Sequence, residues 1–348
     1  MEVFALDIGN MQTKIKSSKV EKVLPSRFID YDDLGNQTVS LFENDRDVNK
    51  YEVSFDKLFS YAWGTDLYKV HKGNYIETIK FEDRYGTEEF KLLASFAIGE
   101  LAKDFKEAKE SILTVDIVTG VPTDDFNPES VKSIIDVLNG DHNVIINDVS
   151  YNIRVNEVKV LPQPVGTVYN EMLDVEGYLY NEDYQTEHVT IIDCGGGTIL
   201  IDTLKNMNLS ETGRSQTETG AYTVYENIKN QCIKNNIKGI TESHIETVLR
   251  SDNENDDYMF KPNKNESYNI TKIVKKEKVK YTRNLINKIN STLKGTSTID
   301  TLFFTGGGAN LINKDTIKQQ FEHAIFVENS ETANVNGFYK YGLASLSM

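Results

Sequence analysis

The sequence predicts an α/β protein made of two related halves, and three observations carry that prediction. A segment around Asp7, FALDIGNMQTKIK, has a counterpart 186 residues later around Asp193, TIIDCGGGTILID. Both read apolar strand, aspartate, one residue, glycine, small polar turn, apolar strand. Apolar runs of strand length then alternate with segments of helical periodicity, the pattern of α/β layers. The length of 348 residues suits two domains of roughly 100–200 residues each.

The elements follow in order. Val3–Asp7 reads as a strand, then a glycine turn, then a second strand through Lys14–Lys16. Asp30 to Asn49 is polar, acidic and poorly periodic. Phe90–Phe105 is helical, with Phe90, Leu93, Ala97, Leu101 and Phe105 on one face. Ile112–Thr119 is a continuous apolar strand closed by Gly120 and Pro122, a pattern that suits burial on both faces. Asp148–Leu161 reads as alternating strands ending at Pro162 and Pro164, and Val165–Leu173 as a helix after that break. The second half repeats the opening: strand Val189–Asp193, turn Gly195–Gly197, strand Ile199–Thr203. Ala221–Ile237 and Thr271–Leu293 are helical, and the polar run Ser251–Ser267 between them reads as an exposed loop. Strand Ile299–Thr305 runs into Gly306–Gly307–Gly308, and Asn336–Leu346 closes the chain as a short helix.

Composition narrows the function. Lys plus Arg is 38 and Asp plus Glu is 53, a net charge of −15, which a DNA backbone would repel. Direct nucleic-acid binding is therefore not expected. Two cysteines, 194 and 232, make no disulfide framework, and five scattered histidines make no zinc cluster. No run approaches the roughly 20 apolar residues of a membrane span, and the first residues lack the pattern of a signal peptide. A cytoplasmic protein without membrane contact is expected.

The hairpin turns carry the chemistry. A glycine-rich turn exposes backbone N–H groups and admits a ligand closely. An aspartate ending the strand beneath would repel bare phosphate, but suits a divalent cation lying between them. Mg²⁺ keeps most of its waters and is held by one or two carboxylates plus phosphates. Asp7 and Asp193 are thus paired candidates for a magnesium nucleotide, and Lys14 can reach a phosphate as a point charge. Read alone, either element could be an ordinary tight hairpin. A third glycine run after an apolar strand, LFFTGGGANL, weakens that reading and resembles a base- and ribose-binding turn.

Together these segments resemble the actin superfamily. ALDIGNMQTK is similar to its first phosphate loop, IIDCGGGT to the second and FFTGGGAN to the adenosine motif. VTGVP (118–122) and LPQPVGT (161–167) stand in the places of the inter-domain connection. QPVGT, the IDT after the second loop and the closing ANVNGFYKYG resemble the plasmid-segregation actins, the ParM family of Gram-positive plasmids. The resemblance implies an actin-like (ribonuclease H-like) fold with a nucleotide cleft between two α/β domains. The first domain would be 1–165 plus 331–348, with an outer subdomain at roughly 31–75; the second would be 166–330, with one at roughly 235–282.

By the same resemblance, Asp7 and Asp193 hold Mg²⁺ largely through water. Gly9, Asn10, Lys14, Gly195, Gly196, Gly197 and Thr198 bind phosphates. Gly306, Gly307, Gly308 and Asn310 bind the nucleoside, and Gly220 packs on the sugar. Gln163, with Asp193, would be catalytic, orienting the attacking water. Cys194 reads as packing. The chain departs from chaperone-like members at Leu200, where they carry an acid; Asp202 lies on the same strand face. Met11 and Gln12 fill turn positions often held by small residues. The basic stretch Lys272–Arg283 reads either as a base contact or as a charged helix face, with Lys275, Lys276 and Lys280 unassigned.

The implied activity is ATP (or GTP) hydrolysis coupled to polymerisation. The implied partners are further copies in a helical filament, and a ParR-like basic DNA-binding adaptor on a centromere-like plasmid site. Other readings are a sugar-type kinase of the same superfamily, with Asp124 or Asp125 as base, and a non-segregation cytoskeletal actin.

Overall fold

The computed structural model describes residues 1–34, 47–70, 75–78, 84–251 and 257–346. The described chain divides into two compact units, Met1–Glu182 with Thr332–Met348, and Asp183–Glu331. Mixed sheets with flanking helices make up both units.

The first unit is built on a ten-stranded sheet. Across it run Glu21–Pro25, Gln12–Lys16, Glu2–Ile8, Leu113–Val121, Val149–Pro162, Gly140–Ile146, Asn49–Val53, Asp56–Trp63, Arg27–Asp30 and Ile76–Glu77. Glu2–Ile8, Leu113–Val121 and Val149–Pro162 are mutually parallel at its centre. Burial on both faces explains why the first two read as apolar runs rather than alternating ones. Helix Glu88–Ala102 covers one face. Thr87 caps it by accepting from the Phe90 N–H, and every residue from Leu92 to Ala102 is buried. The helix ends three residues before the expected Phe105, which instead starts a short second helix, Lys106–Glu110. Phe96 sits among Phe28, Tyr51, Tyr61 and Trp63 with ring centroids 4.9–6.1 Å apart. Burying each such ring stabilises the unit by roughly 2–3 kcal/mol.

Helix Gln163–Met172 packs on the closing helix Ala333–Leu346. Gly166 and Gly337 let the two backbones touch, and Thr167 Oγ1 donates to Asn334 Oδ1 at 2.7 Å. This packing places Gln163–Met172 in the first unit, so the units part at 182/183 rather than near the expected 165/166.

The second unit has a sheet ordered Asn208–Leu209, Ile199–Lys205, His188–Cys194, Thr301–Thr305 and Ala324–Phe326, with Ser215–Thr217 also on Ile199–Lys205. Helices Ala221–Lys234 and Thr271–Leu293 bury Val224, Ile228, Tyr281, Leu285 and Ile289 against Ile192, Ile199, Ile201, Leu302 and Phe304. The expected exposed loop 251–267 needs correction. Residues 252–256 lie outside the described residues, but Met259–Phe260 pairs with Tyr268–Asn269, and Tyr258 and Phe260 are buried. Two aromatics within a polar run suffice to anchor it. Of the acidic stretch 30–49, residues 35–46 lie outside the described residues.

Candidate functional site: two aspartate turns

In the first unit, Asp7 and Lys14 face each other across an antiparallel strand pair. Lys14 Nζ lies 3.1 Å from Asp7 Oδ2, and both are largely buried. The turn between them closes with the Gly9 N–H donating to the Gln12 carbonyl at 3.0 Å. Ser26 braces it: its N–H donates to the Met11 carbonyl (3.0 Å) and its hydroxyl to the Gly9 carbonyl (2.6 Å). Arg84 Nη2 donates to the same Gly9 oxygen at 2.9 Å. The N–H groups of Asn10 and Met11 meet no acceptor among the described residues. They are donors suited to phosphate oxygens.

The parallel strands end at one edge of the sheet. Leu6 pairs with Thr119, and Pro162 with Val121, so Asp7, Gly120 and Gln163 come together at the carboxyl ends of three strands. Open α/β sheets bind ligands at such edges. Gln163 opens its helix directly after Pro162 and is half-buried. Asp125 accepts the Tyr85 hydroxyl at 2.6 Å, so it is engaged in the fold rather than poised as a kinase base.

The second unit repeats the turn. Asp193 pairs with Leu200 on one side and Thr305 on the other. The Gly195 N–H donates to the Thr198 carbonyl at 2.8 Å. The carbonyls of Gly195, Gly196 and Gly197 accept from the N–H groups of Ala221 (3.0 Å), Tyr222 (2.9 Å) and Gly220 (3.2 Å). The N–H groups of Gly196, Gly197 and Thr198 meet no acceptor among the described residues. Gly220 fits because a Cβ there would overlap Gly196 O and lie 2.6 Å from Gly195 O. It seats the helix on the turn.

The third glycine run packs on the same turn. Gly306 has φ +83°, and a Cβ there would overlap Asp193 Oδ1 and lie 2.5 Å from Cys194 O. A Cβ on Gly308 would lie 2.8 Å from the same carbonyl. Gly307 and Gly308 open a 3₁₀ turn, and Asn310 is exposed at its end. Within this unit the structure therefore brings Asp193, Gly195–Thr198, Gly220 and Gly306–Gly308 into one cluster.

Several residues went unnoticed in the sequence. Arg250 forks onto Glu331 at 3.0 and 2.6 Å beside Gly307, and Glu331 holds its guanidinium pKa high. Arg84 and Ser26 brace the first turn from 75 and 17 residues away. No spacing rule links such distant positions.

Asp202 does share its strand face with Leu200, and its Oδ1 accepts from Arg214 Nε at 3.1 Å. Cys194 is fully buried, and burial beside Asp193 pushes its thiol up to about 12. That fits packing. Lys275 and Lys276 are exposed on helix Thr271–Leu293, whereas Lys280, 3.5 Å from Glu277, lines a cavity with Ile199, Thr217, Tyr281 and Asn284.

Among the described residues no three His, Cys, Asp or Glu converge on one point. A single carboxylate at each turn suits a cation held mainly through water and phosphate oxygens, not a protein cage. Among the described residues no helix is long and apolar enough to cross a membrane.

Residues 5–166 match the family of actin-like proteins, N-terminal domain, and residues 188–341 match the Alp7A C-terminal domain family. No curated protein sequence matches the chain. Among solved structures, apo psk41 ParM is 24% identical, with 99% of this chain and 98% of that chain covered and a TM-score of 0.78. The archaeal actin homologue Ta0583 in complex with ADP is 17% identical over 100% of both chains, with a TM-score of 0.75. The 15-stranded ParM filament from Clostridium botulinum is 19% identical over 98% of both chains, with a TM-score of 0.72.

Proposed function

We propose that this chain, whose two halves match the actin-like N-terminal and Alp7A C-terminal domain families, is a ParM-like, nucleotide-dependent, filament-forming ATPase that segregates plasmids. One observation carries the reading most directly. Each unit holds a turn of the same length, with an aspartate at its base and adjacent N–H groups open to an acceptor.

The turns bind the phosphates of ATP or GTP through Asn10, Met11, Gly196, Gly197 and Thr198. Magnesium, when bound, neutralises phosphate charge and is held by Asp7 and Asp193 largely through water. Gly306–Gly308 and Asn310 take the nucleoside. Gln163 orients the attacking water. Its amide has no titratable proton, so it positions rather than deprotonates.

Filament assembly aligns Gln163 with the γ-phosphate, so hydrolysis follows polymerisation. Loss of that phosphate removes contacts at the turns and favours disassembly. Outer subdomains would lie at roughly 31–75 and 235–282. The filament acts in the cytoplasm and meets DNA only through a ParR-like basic adaptor at a centromere-like site. A related ParM solved as a filament and a related actin homologue solved with ADP support this reading.

The test is sedimentation with phosphate release, with ATP or GTP, for wild type and Gln163→Ala. Both proteins pellet when nucleotide is present, and the variant releases phosphate at least tenfold more slowly. Wild type that stays in the supernatant over a broad concentration range removes the filament. Unchanged release by the variant removes the role of Gln163.

A further inference from the structure

A cavity of about 270 Å³ lies in the second unit, between helices Ala221–Lys234 and Thr271–Leu293 and over the start of strand Ile199–Lys205. Ile199, Val224, Tyr281 and Leu285, all buried, form its floor. Thr217, Thr223, Asn227 and Asn284 stand at its rim with Lys280 and Lys288. Gly195–Gly197, Gly306–Gly308 and Asn310 line no part of it. On helix Ala221–Lys234, Thr223 and Asn227 line the cavity, while Tyr225 lies in the field of Arg250 and Glu331, beside Gly307. Residues two apart on a helix point about 200° apart, so the cavity and the third glycine run flank opposite sides of this helix.

Two polar groups in the cavity wall are poorly met. Glu277 is 4% exposed, yet its carboxylate makes no hydrogen bond among the described residues. Its ion pair to Lys280 is long, 3.5 Å, and reaches a side chain that is 57% exposed. Residues 252–256, the part of this unit outside the described residues, read DNEND and supply no cation. The Tyr281 hydroxyl, beside the Cys194 thiol, has no partner in hydrogen-bond geometry, and burial raises its pKa, so it keeps its proton. Buried polar groups left this way cost stability until something meets them. At the rim, Lys288 makes no ion pair among the described residues.

We infer that this cavity binds a small planar organic anion that also carries an N–H donor. The Tyr281 ring and the aliphatic floor take the flat body. Glu277 accepts from the N–H, and Lys288 and Lys280 meet the anionic group. The volume lies just under the ~300–1,000 Å³ typical of ligand pockets, which suits a small metabolite rather than a dinucleotide or a peptide. Purine or pyrimidine mononucleotides and amino-substituted aromatic acids share this chemistry.

The test is calorimetric titration of the full chain with AMP and, separately, with anthranilate. ADP and Mg²⁺ are present in excess to fill the proposed nucleotide site. Adenosine lacks the anion and benzoate lacks the donor, so they serve as counterparts. At least one of the first two probes binds with a Kd below roughly 1 mM, and its counterpart binds at least tenfold more weakly. AMP alone identifies a mononucleotide site, anthranilate alone an aromatic-acid site, and both together the shared chemistry. Glu277→Leu and Lys288→Met each weaken binding roughly tenfold. Thr223→Trp, which places a ring at the cavity, abolishes it. Should the Trp variant fail to fold, Lys288→Met at the half-buried rim carries the comparison.

Absence of binding by both probes overturns the proposal. So does affinity unchanged in Glu277→Leu and Lys288→Met, or a counterpart that binds as tightly as its probe. Wild type that binds no ADP removes the nucleotide reading instead, and the result at the cavity stands apart from it.

Discussion

The two aspartate turns have one geometry and two kinds of support. Each closes on the same hydrogen bond, from Gly9 to Gln12 and from Gly195 to Thr198, at positions 186 apart. Each aspartate ends an apolar strand. Around them the matched positions diverge. Opposite Asp7 stands Lys14, and opposite Asp193 stands Leu200. The first turn is held by side chains, the Ser26 hydroxyl and the Arg84 guanidinium. The second is held by backbone, with three carbonyls taken by the N–H groups of Gly220–Tyr222 and with glycines pressed against it. The same turn can thus be made rigid by charge or by close approach of main chain. The two solutions should fail differently, because charge is lost in graded steps and a backbone contact is lost when any Cβ appears.

The sharpest break is expected at Gly306. An Ala there meets Asp193 and Cys194 while its backbone sits at φ +83°. Left-handed strain and overpacking together should cost roughly 2–4 kcal/mol. Gly239→Ala is the control: its φ is +76°, but nothing lies within 4 Å of the added Cβ, so only the strain of about 1 kcal/mol remains. Urea unfolding of both variants measures the difference. Equal losses would mean that contact with the second turn contributes nothing.

On the first turn, Lys14→Leu recreates the arrangement found at Leu200. It leaves a nearly buried Asp7 carboxylate without its cation, at a cost of roughly 2 kcal/mol. The double variant Asp7→Asn/Lys14→Leu should regain most of that loss, because no charge remains to be compensated. A double variant as unstable as the single one would show that Lys14 acts through packing of its stem, and the contrast between a turn held by side-chain charge and one held by backbone would lose its meaning.

These contrasts also show what a reader of the sequence could and could not see. The strand–Asp–x–Gly grammar is local, so both turns and their adjoining strands were legible from a dozen residues each. The helix at Thr271–Leu293 was legible to its ends, because apolar spacing runs unbroken along it. Supports are not local. Arg84 reaches Gly9 from 75 positions away, and Arg250 reaches Glu331 from 81. Neither residue carries a periodicity or spacing that marks it. The boundary between units was misplaced for a related reason. Gln163–Met172 follows a proline break, which looks like a divide, yet its glycine face is matched to a helix 170 residues further on, Ala333–Leu346. Only that packing decides which unit it joins.

The smallest effect should come from Cys194, which occupies the place that Ile8 holds in the first hairpin. Both are buried apolar positions beside an aspartate. Cys194→Ala should cost about 1 kcal/mol, the price of one removed atom in a packed site. Its thiol is held up at about 12 by burial first and by Asp193 second. An unfolded cysteine ionises near 8.5. The folded state therefore binds this proton more tightly than the unfolded state does. The resulting stability is complete below roughly pH 8.5 and drains away as pH rises toward 12. Removing the thiol should flatten that part of the alkaline limb in pH-dependent unfolding, leaving the steeper contribution of the buried tyrosines. In native protein at pH 8, a thiol reagent should label Cys194 only as fast as the second unit opens. Labelling faster than unfolding, or an alkaline limb unchanged in Cys194→Ala, would mean that the second turn is looser than its close backbone contacts imply.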